Sequence, residues 1–174
     1  MSASTERPID FCLHLAAAIR QGKKTIAYKP LPAVSAARYR ADKTPPPPMY
    51  GAAGDVLWMR EPFAIGADGN GNIDYPAARA STRYDAKITD AAGPITRAST
   101  MTRAQASIVL KLVEVTVVRL SDDLTEDRAR AAGMTPRDRR SCREEFIAQW
   151  NEAYGKGLIV AKNPPVWRLS FAIV

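Results

Sequence analysis

Histidine and cysteine are nearly absent from this chain, which has one histidine and two cysteines among 174 residues. The cysteines, Cys12 and Cys142, lack the paired spacing of a zinc site, and the single histidine is His14. Cys12 and His14 are two positions apart, a spacing that does not put both side chains on one helix face. We therefore expect both cysteines to be buried like apolar residues. We expect no metal site, no cofactor and no histidine-dependent hydrolase.

Long hydrophobic runs are also missing from the sequence. No apolar stretch approaches the roughly 18 residues that a membrane span requires. The first ten residues are polar and lack the hydrophobic segment of a secretory signal. The sequence therefore predicts a cytoplasmic protein without a membrane partner. The apolar content of 46% and the charged content of 25% are ordinary for a globular protein, so we expect a single domain over residues 1–174.

Positive charge, in contrast, is concentrated in one segment of the chain. Residues 19–43 contain seven lysines and arginines but one acid, Asp42, while the formal net charge of the whole chain is +7. A segment this basic attracts phosphate, so we expect RNA, a nucleoside or a nucleotide as the partner. The basic residues of the segment are Arg20, Lys23, Lys24, Lys29, Arg38, Arg40 and Lys43.

The first half of the chain is predicted to contain one helix and two strands. Apolar residues recur at helical spacing over residues 9–21, and Gly22 stands where a helix C-terminal glycine belongs. Short strands are predicted over residues 24–28 and Val56–Arg60. Between these strands, residues 30–53 are rich in proline, which predicts an extended, irregular loop.

Two strands and two helices are predicted in the second half of the chain. Residues 108–120 are rich in β-formers, and their alternation shifts between Leu112 and Thr116, which indicates a bend or bulge in a curved sheet. A short helix is predicted over residues 125–132. A final strand is predicted over residues 166–174 by alternating large apolar side chains that would face inward, namely Trp167, Leu169, Phe171 and Ile173.

The clearest helix pattern lies over residues 135–155. Thr135 suits the N-cap, Pro136 the first helical position and Asp138 the third. An apolar stripe that repeats every four residues predicts a face packed on the core, and Gly155 marks the helix end. Together the elements predict an α+β fold, with a small curved β-barrel flanked by helices. The stripe consists of Cys142, Phe146, Trp150 and Tyr154.

Five short motifs carry a resemblance to a known family. Residues 22–25 are similar to a GRKT turn, residues 54–61 to a GDxLWVRE segment, and residues 101–103 to part of an MPRW segment. Residues 124–134 are similar to a short acidic helix, and residues 163–167 to an NPWVW motif. In this order the motifs resemble the ASCH domain family, small proteins with a PUA-like β-barrel, and in particular its phage and prophage branch. The resemblance covers most of the chain.

The resemblance implies binding of RNA or of a modified nucleoside in a cleft beside the barrel. The GxKxxExR turn of the family is matched by Gly22, Lys24, Ala27 and Lys29, and the lysine would lie over a phosphate or a carbonyl. Tyr28 follows the basic turn and is our candidate for stacking on a base. The candidate ligand-binding residues are Lys23, Lys24, Thr25, Tyr28, Lys29, Arg60 and Arg103.

The acetylcytidine amidohydrolases of the ASCH family are thought to use a lysine, a threonine and a glutamate. The positions that match the threonine and the glutamate are Ala27 and Ala132 in this chain. Amide hydrolysis needs a nucleophile or a positioned water, and a base to take its proton. A methyl group supplies neither. We therefore expect a binding module without amidohydrolase activity.

Two alternatives to a binding module stay open. The chain could be an enzyme, either an amidohydrolase with displaced catalytic groups or a metal-independent single-strand ribonuclease. Such a nuclease could use Lys24, Tyr28 and a hydroxyl from Ser107 or Thr25, with the lysine stabilising phosphorane charge. Alternatively, the chain could be a prophage accessory protein whose basic face binds an acidic protein. RNA binding without turnover favours the binding module. Turnover in the presence of a chelator favours the enzyme, and the absence of RNA binding favours the protein-binding alternative.

Overall fold

A computed structural model describes residues 5–66, 72–78 and 93–174 of the chain. These residues form a mixed α and β fold with a five-stranded sheet and a three-stranded sheet. The strands are β1 Glu6–Asp10, β2 Ile26–Pro30, β3 Val56–Arg60, β4 Phe63–Ile65, β5 Ile73–Asp74, β6 Ile95–Thr96, β7 Val109–Arg119 and β8 Pro165–Ile173. The α-helices are α1 Leu13–Arg20, α2 Ala33–Asp42, α3 Leu120–Asp123, α4 Glu126–Ala131 and α5 Cys142–Tyr154.

Backbone proximity divides the chain into two compact units. The first unit contains β1, α1, β3 to β6 and the beginning of β7. The second contains β2, α2, the rest of β7, α3 to α5 and most of β8. The strands of the larger sheet are hydrogen-bonded in the order β1-β3-β7-β8-β2, and those of the smaller sheet in the order β5-β4-β6. The mixed α and β class is confirmed, while the curved barrel and the single domain over residues 1–174 stay predictions.

The beginning of the chain differs from the helix predicted over residues 9–21. Residues 6–10 form β1, which pairs in parallel with β3, and the helix begins only at Leu13. Ile9 and Phe11 are both buried, and residues two apart share a face in a strand but not in a helix. Residues 6–10 are a strand because their backbone groups are hydrogen-bonded to β3 rather than to one another within a helix. Gly22, with a φ of 69°, follows the helix end as predicted.

The proline-rich segment at residues 30–53 is not one irregular loop, because it contains the helix α2. The prolines of the segment lie outside the helix, with Pro32 at its N-cap position and the run at residues 45–48 beyond its end. Proline is tolerated at the start of a helix because the first amide groups have no partner within it. The intervening alanines and arginines are good helix formers. The helix ends at Lys43, which has a φ of 61°.

The helix predicted to have Pro136 as its first residue begins six residues later, at Cys142. Asp138 and Arg139 have positive φ angles of 48° and 68°, which interrupt a right-handed helix. The N-cap is instead Ser141, whose side chain accepts from the Glu144 amide in a capping box. Gly155 ends the helix as predicted. Three members of the predicted stripe are buried, but the last one, Tyr154, is 38% exposed because it lies at the helix end.

Several predicted elements are confirmed by the structure. The strands β3 and β7 and the helix α4 lie where the sequence predicts them, and the Thr125 side chain caps α4. Inward side chains of β8 are buried up to Phe171, whereas Ile173 is 46% exposed near the end of the strand. The burial alternation of β7 is lost after Leu112, and a bulge there stays a prediction. Within the described ranges, no helix is long and apolar enough to cross a membrane.

Candidate functional site

Lys24 is a buried cation of the second unit, with 5% of its surface exposed. Its Nζ donates to the main-chain oxygen of Ile26 at 2.7 Å and to that of Ala132 at 2.8 Å. Ala132 is the C-cap of α4, where main-chain carbonyls lack partners within the helix. The ammonium therefore joins the end of α4 to the start of β2. The resemblance predicted contact with a phosphate or a carbonyl of a ligand, whereas in the structure the ammonium is bonded to carbonyls of the protein itself.

The structure brings together two of the positions that the ASCH resemblance places in one site. Lys24 and Ala132 are 108 residues apart in sequence, and they form a β-bridge as well as the side-chain hydrogen bond. Ala27 lies on β2 opposite Leu169 of β8. Both alanine side chains are buried. Neither methyl group can accept a proton or attack a carbonyl, so the lysine has no catalytic partner at these two positions.

Thr25 lies just before β2, although a strand over residues 24–28 was predicted to contain both Thr25 and Ala27. Thr25 is exposed, whereas Ala27 is buried. The main chain of Thr25 is nevertheless fixed, because its amide donates to Ala131 and its carbonyl oxygen accepts from Phe171. The Thr25 hydroxyl therefore does not take the place of the threonine that the hydrolases carry.

Tyr28 is a core residue, which corrects the expectation that it stacks on a base. Its ring is buried and packs edge-on against Phe146, with the centroids 5.4 Å apart. Its hydroxyl donates to Asp123 Oδ2 at 2.6 Å. Burial and this bond to a carboxylate raise the pKa of Tyr28, so the phenol keeps its proton at neutral pH. Neither base stacking nor proton transfer fits this environment.

Asp123 is the centre of an ion-pair network that the sequence does not reveal. Its Oδ1 accepts from Arg128 at 2.6 Å and from Arg168 at 2.8 Å. Arg168 also donates to Glu114 Oε1 at 2.8 Å. The two arginines face two carboxylates, so the charges of the network balance. Together with the bond from Tyr28, the network joins β2, β7, β8, α3 and α4 within the second unit.

The exposed cations of residues 23–43 are distinct from Lys24, and most of them lie on or next to α2. The helix α2 buries a single residue, Ala36, and carries arginines at two solvent-facing positions. Arg38 lies 3.6 Å from the exposed carboxylate of Asp42, and Lys29 of β2 is half-buried. We call the exposed cations of residues 23–43 the basic surface. Its members are Lys23, Arg38, Arg40 and Lys43.

Two predicted ligand-binding arginines lie in the first unit, and each is paired with a carboxylate. Arg60 pairs with Asp10 and donates to the main-chain oxygen of Ser99 at 3.1 Å. Arg103 donates to Glu6 at 2.8 Å. These contacts join β3 and the segment before β7 to β1. A ligand phosphate would have to compete with these carboxylates for both arginines.

A buried carboxylate and its partners form a polar cluster in the first unit. Glu61 is fully buried and accepts from two nitrogens of Arg20, one of them at 3.2 Å. The same guanidinium donates to Ser107 Oγ at 2.6 Å and lies 5.0 Å from the ring centroid of Tyr75. Burial raises the pKa of Glu61, and Arg20 opposes that shift. In the sequence, this cluster is indicated by Glu61, which directly follows β3 in the segment that resembles GDxLWVRE.

The nuclease constellation named from the sequence is not supported by these positions. Ser107 belongs to the first unit, where its hydroxyl oxygen accepts from Arg20 at 2.6 Å. Lys24 and Tyr28 are buried in the second unit, each held by hydrogen bonds of the protein. A hydroxyl becomes a nucleophile when an adjacent group accepts its proton. The Tyr28 hydroxyl does donate to Asp123, but burial raises the pKa of this phenol and so opposes its ionisation.

Cys12 is exposed, which corrects the prediction that both cysteines are buried. Its Sγ lies 3.3 Å from His14 Nδ1 and 3.8 Å from His14 Nε2. The spacing argument failed because Cys12 is the N-cap of α1, with extended backbone angles, rather than a member of the helix. Among the residues with described positions, no group of three His, Cys, Asp or Glu side chains is arranged to hold a metal ion.

Solved structures of three proteins are similar to this chain. Protein EF3133 from Enterococcus faecalis V583, described as DUF984, has 12% identity and a TM-score of 0.47, over 100% of this chain and 82% of that one. An ASCH domain from Lactobacillus crispatus JV V101 has 12% identity and a TM-score of 0.43, over 97% and 79%. The hypothetical protein PH0355 has 10% identity and a TM-score of 0.45, over 98% and 100%. No protein-family model and no curated protein matches the chain.

These neighbours include an ASCH domain, the family that the sequence motifs resemble. None of them bears on the phage and prophage branch, which stays a prediction. Similarity at this level concerns the fold and says nothing about ligand or activity. We therefore base the functional proposals on the residues of this chain.

Proposed function

We propose that the chain is a small RNA-binding or nucleotide-binding module whose ligand contacts the basic surface. This proposal rests on the observation that some cations of residues 19–43 are buried and others are exposed. Lys24 is held inside the second unit by main-chain carbonyls, whereas all four members of the basic surface are exposed. Exposed cations can neutralise phosphates without losing a buried partner, and the counterions that they release favour binding.

The helix α2 supports this proposal by the placement of its cations. Lys43 is the C-cap of the helix, and its Nζ lies 3.5 Å from the main-chain oxygen of Arg40, so the two cations are close together at this end of α2. Because α2 buries so little of its surface, most of its side chains are available to a ligand. Phosphate contacts of this kind are independent of sequence, so the ligand class is single-stranded RNA or a nucleotide rather than one particular sequence.

We further propose that binding is not followed by amide hydrolysis. Ala27 and Ala132 supply no nucleophile and no base beside Lys24. Loss of a positioned acid or base alone typically costs a factor of about 10² to 10⁴ in rate. A chain that lacks both groups has the lysine of the hydrolase motif but neither the nucleophile nor the base that hydrolysis needs. Turnover of acetylcytidine at the rate of an active amidohydrolase would overturn this part of the proposal.

The test measures the affinity for a fluorescent single-stranded RNA by anisotropy at several salt concentrations. For a single strand, the logarithm of the association constant should fall with the logarithm of salt, with a slope of about −0.7 for each phosphate neutralised. The double variant Arg40→Ala/Lys43→Ala should weaken binding and make the slope shallower by about 1.4, the value for two contacts.

A matched control removes two positive charges elsewhere in the same unit. Lys156 and Lys162 are both exposed and lie outside α2. The double variant Lys156→Ala/Lys162→Ala has the same net charge as the α2 variant, and it should bind RNA nearly as tightly as the unchanged chain. Equal losses in the two double variants would mean that overall charge, not the basic surface, drives binding. Absence of RNA binding in the unchanged chain would favour an acidic protein as the partner.

A further inference from the structure

Tyr39 is an aromatic residue of the second unit that lies among the cations of the basic surface. It belongs to α2 and is half-buried, so part of its side chain is open to solvent. Lys43 Nζ is 5.9 Å from the centroid of the Tyr39 ring, and Arg40 follows Tyr39 directly in the helix. Proteins that bind single-stranded nucleic acids combine such groups, because cations neutralise the phosphates and aromatic rings stack on the bases.

Tyr39 and Tyr28 differ in what their side chains contact. The Tyr28 ring packs on Phe146, and its hydroxyl donates to Asp123. In the part of the chain that the structure describes, the Tyr39 hydroxyl makes no hydrogen bond to another residue, and the Tyr39 ring contacts no other aromatic ring. The contacts that require a tyrosine at position 28 are therefore missing at position 39.

The contacts of Lys43 keep a cation next to this ring at the C-terminal end of α2. Its Nζ lies 3.5 Å from the main-chain oxygen of Arg40 as well as near the Tyr39 ring. An ammonium–ring contact is weak at an exposed position, so the Lys43 ammonium can exchange the ring for a phosphate. The base and the phosphate of one nucleotide are joined through a single sugar. A base on the Tyr39 ring would therefore bring its phosphate close to the cations of the helix.

We propose that Tyr39 is the stacking site for an unpaired base of the single-stranded RNA that the basic surface binds. This inference rests on the proposed function, and it adds the part of the ligand that the cations do not recognise, which is the face of a base. Every base has such a face, so the site selects unpaired bases rather than one sequence. In a duplex the bases are stacked on one another, and their faces are not available to a side chain.

The test measures the affinity of the full chain for three fluorescent ligands of equal length by anisotropy. The ligands are a single-stranded RNA, the same strand without its bases, and an RNA duplex. The abasic strand keeps the phosphates, so it should bind at least about fivefold more weakly than the RNA, the lower limit for the loss of one stacked base. Tyr39→Ala should weaken binding of the single-stranded RNA by at least the same factor. It should leave the affinities for the abasic strand and the duplex unchanged, because neither offers a base to the ring.

Two further variants separate the aromatic ring from the space that it fills. Tyr39→Phe keeps the ring and should bind the RNA as tightly as the unchanged chain does. Tyr39→Leu keeps an apolar side chain without an aromatic face, so it should bind the RNA as weakly as Tyr39→Ala. Circular dichroism checks that each variant is folded. If none of the variants folds, the unchanged chain still decides the question through its affinities for the RNA and for the abasic strand.

The inference and the proposed function fail in different ways. Equal affinities of the unchanged chain for the RNA and the abasic strand, or unchanged RNA binding in folded Tyr39→Ala, would overturn the stacking site. If the double variant Arg40→Ala/Lys43→Ala still loses affinity in that case, the proposed function stands without the stacking site. Absence of binding of all three ligands by the unchanged chain would overturn both.

Discussion

The two parts of the basic segment use positive charge in opposite ways. Around β2, Lys24 is buried and its ammonium joins two main-chain carbonyls, and the neighbouring Tyr28 is a core residue bonded to Asp123. Along α2, the cations are exposed and the helix buries only Ala36. A count of lysines and arginines therefore overstates the positive charge that is accessible to a ligand. Burial makes a cation part of the protein's own hydrogen bonding.

Replacement of Lys24 by methionine should have the largest effect on stability. Methionine keeps the length of the apolar stem but removes the donors to the Ile26 and Ala132 oxygens. Because both carbonyls would lose a charged donor, we expect the free energy of unfolding to fall by about 3 kcal/mol. Urea denaturation measures this change. Lys23→Met, at the exposed neighbouring position, should change the free energy by less than about 0.5 kcal/mol. Equal effects of the two variants would contradict the contrast between buried and exposed cations.

Replacement of Tyr28 by phenylalanine should have a smaller effect, with a characteristic pH dependence. The loss of the bond to Asp123 should cost about 1 kcal/mol at neutral pH. The pKa of Tyr28 is raised in the folded chain, so above the ordinary tyrosine value of about 10 the unfolded chain releases a proton that the folded chain keeps. The stabilisation from this phenol is therefore full below that pH and is lost as the pH rises above it.

Denaturation curves at pH 7 and at alkaline pH should distinguish Tyr28→Phe from the unchanged chain. The gap between them should narrow as the pH rises, because the variant has no phenol to ionise at this position. Tyr39→Phe on α2 is the matched control, and at pH 7 it should change stability by less than about 0.5 kcal/mol. A gap that widens with pH would mean that Tyr28 ionises readily in the folded chain and is not a core residue.

Local sequence patterns were sufficient to predict those strands and helices that depend on neighbouring residues alone. The strands β3 and β7 and the helix α4 were predicted close to their observed bounds because alternation and capping residues are local features. The strand β1 was missed because it exists through parallel pairing with β3, about 50 residues away in sequence. The start of α5 was misplaced because nothing in the Thr135–Pro136 pattern indicates that Asp138 and Arg139 adopt left-handed backbone angles.

The candidate site was predictable only in part, for a related reason. The motif match placed Lys24 and Ala132 in one site, and the structure brings them into contact. Whether Lys24 meets a ligand or the protein depends on burial, which arises from packing of distant segments and cannot be read from the motif. The bond from Arg20 to Ser107 joins residues 87 positions apart, and no periodicity predicts such a contact.

The central claim is that the exposed cations, rather than the buried one, contact the ligand. Lysine acetylation with and without single-stranded RNA, followed by mass spectrometry, tests this claim most directly because it reports each lysine separately. We expect RNA to protect Lys43 and Lys23 from acetylation and to leave Lys156 equally reactive. Lys24 should resist acetylation whether RNA is present or absent. Lys24 that is acetylated in the free chain and protected by RNA, with Lys43 unaffected, would contradict the account.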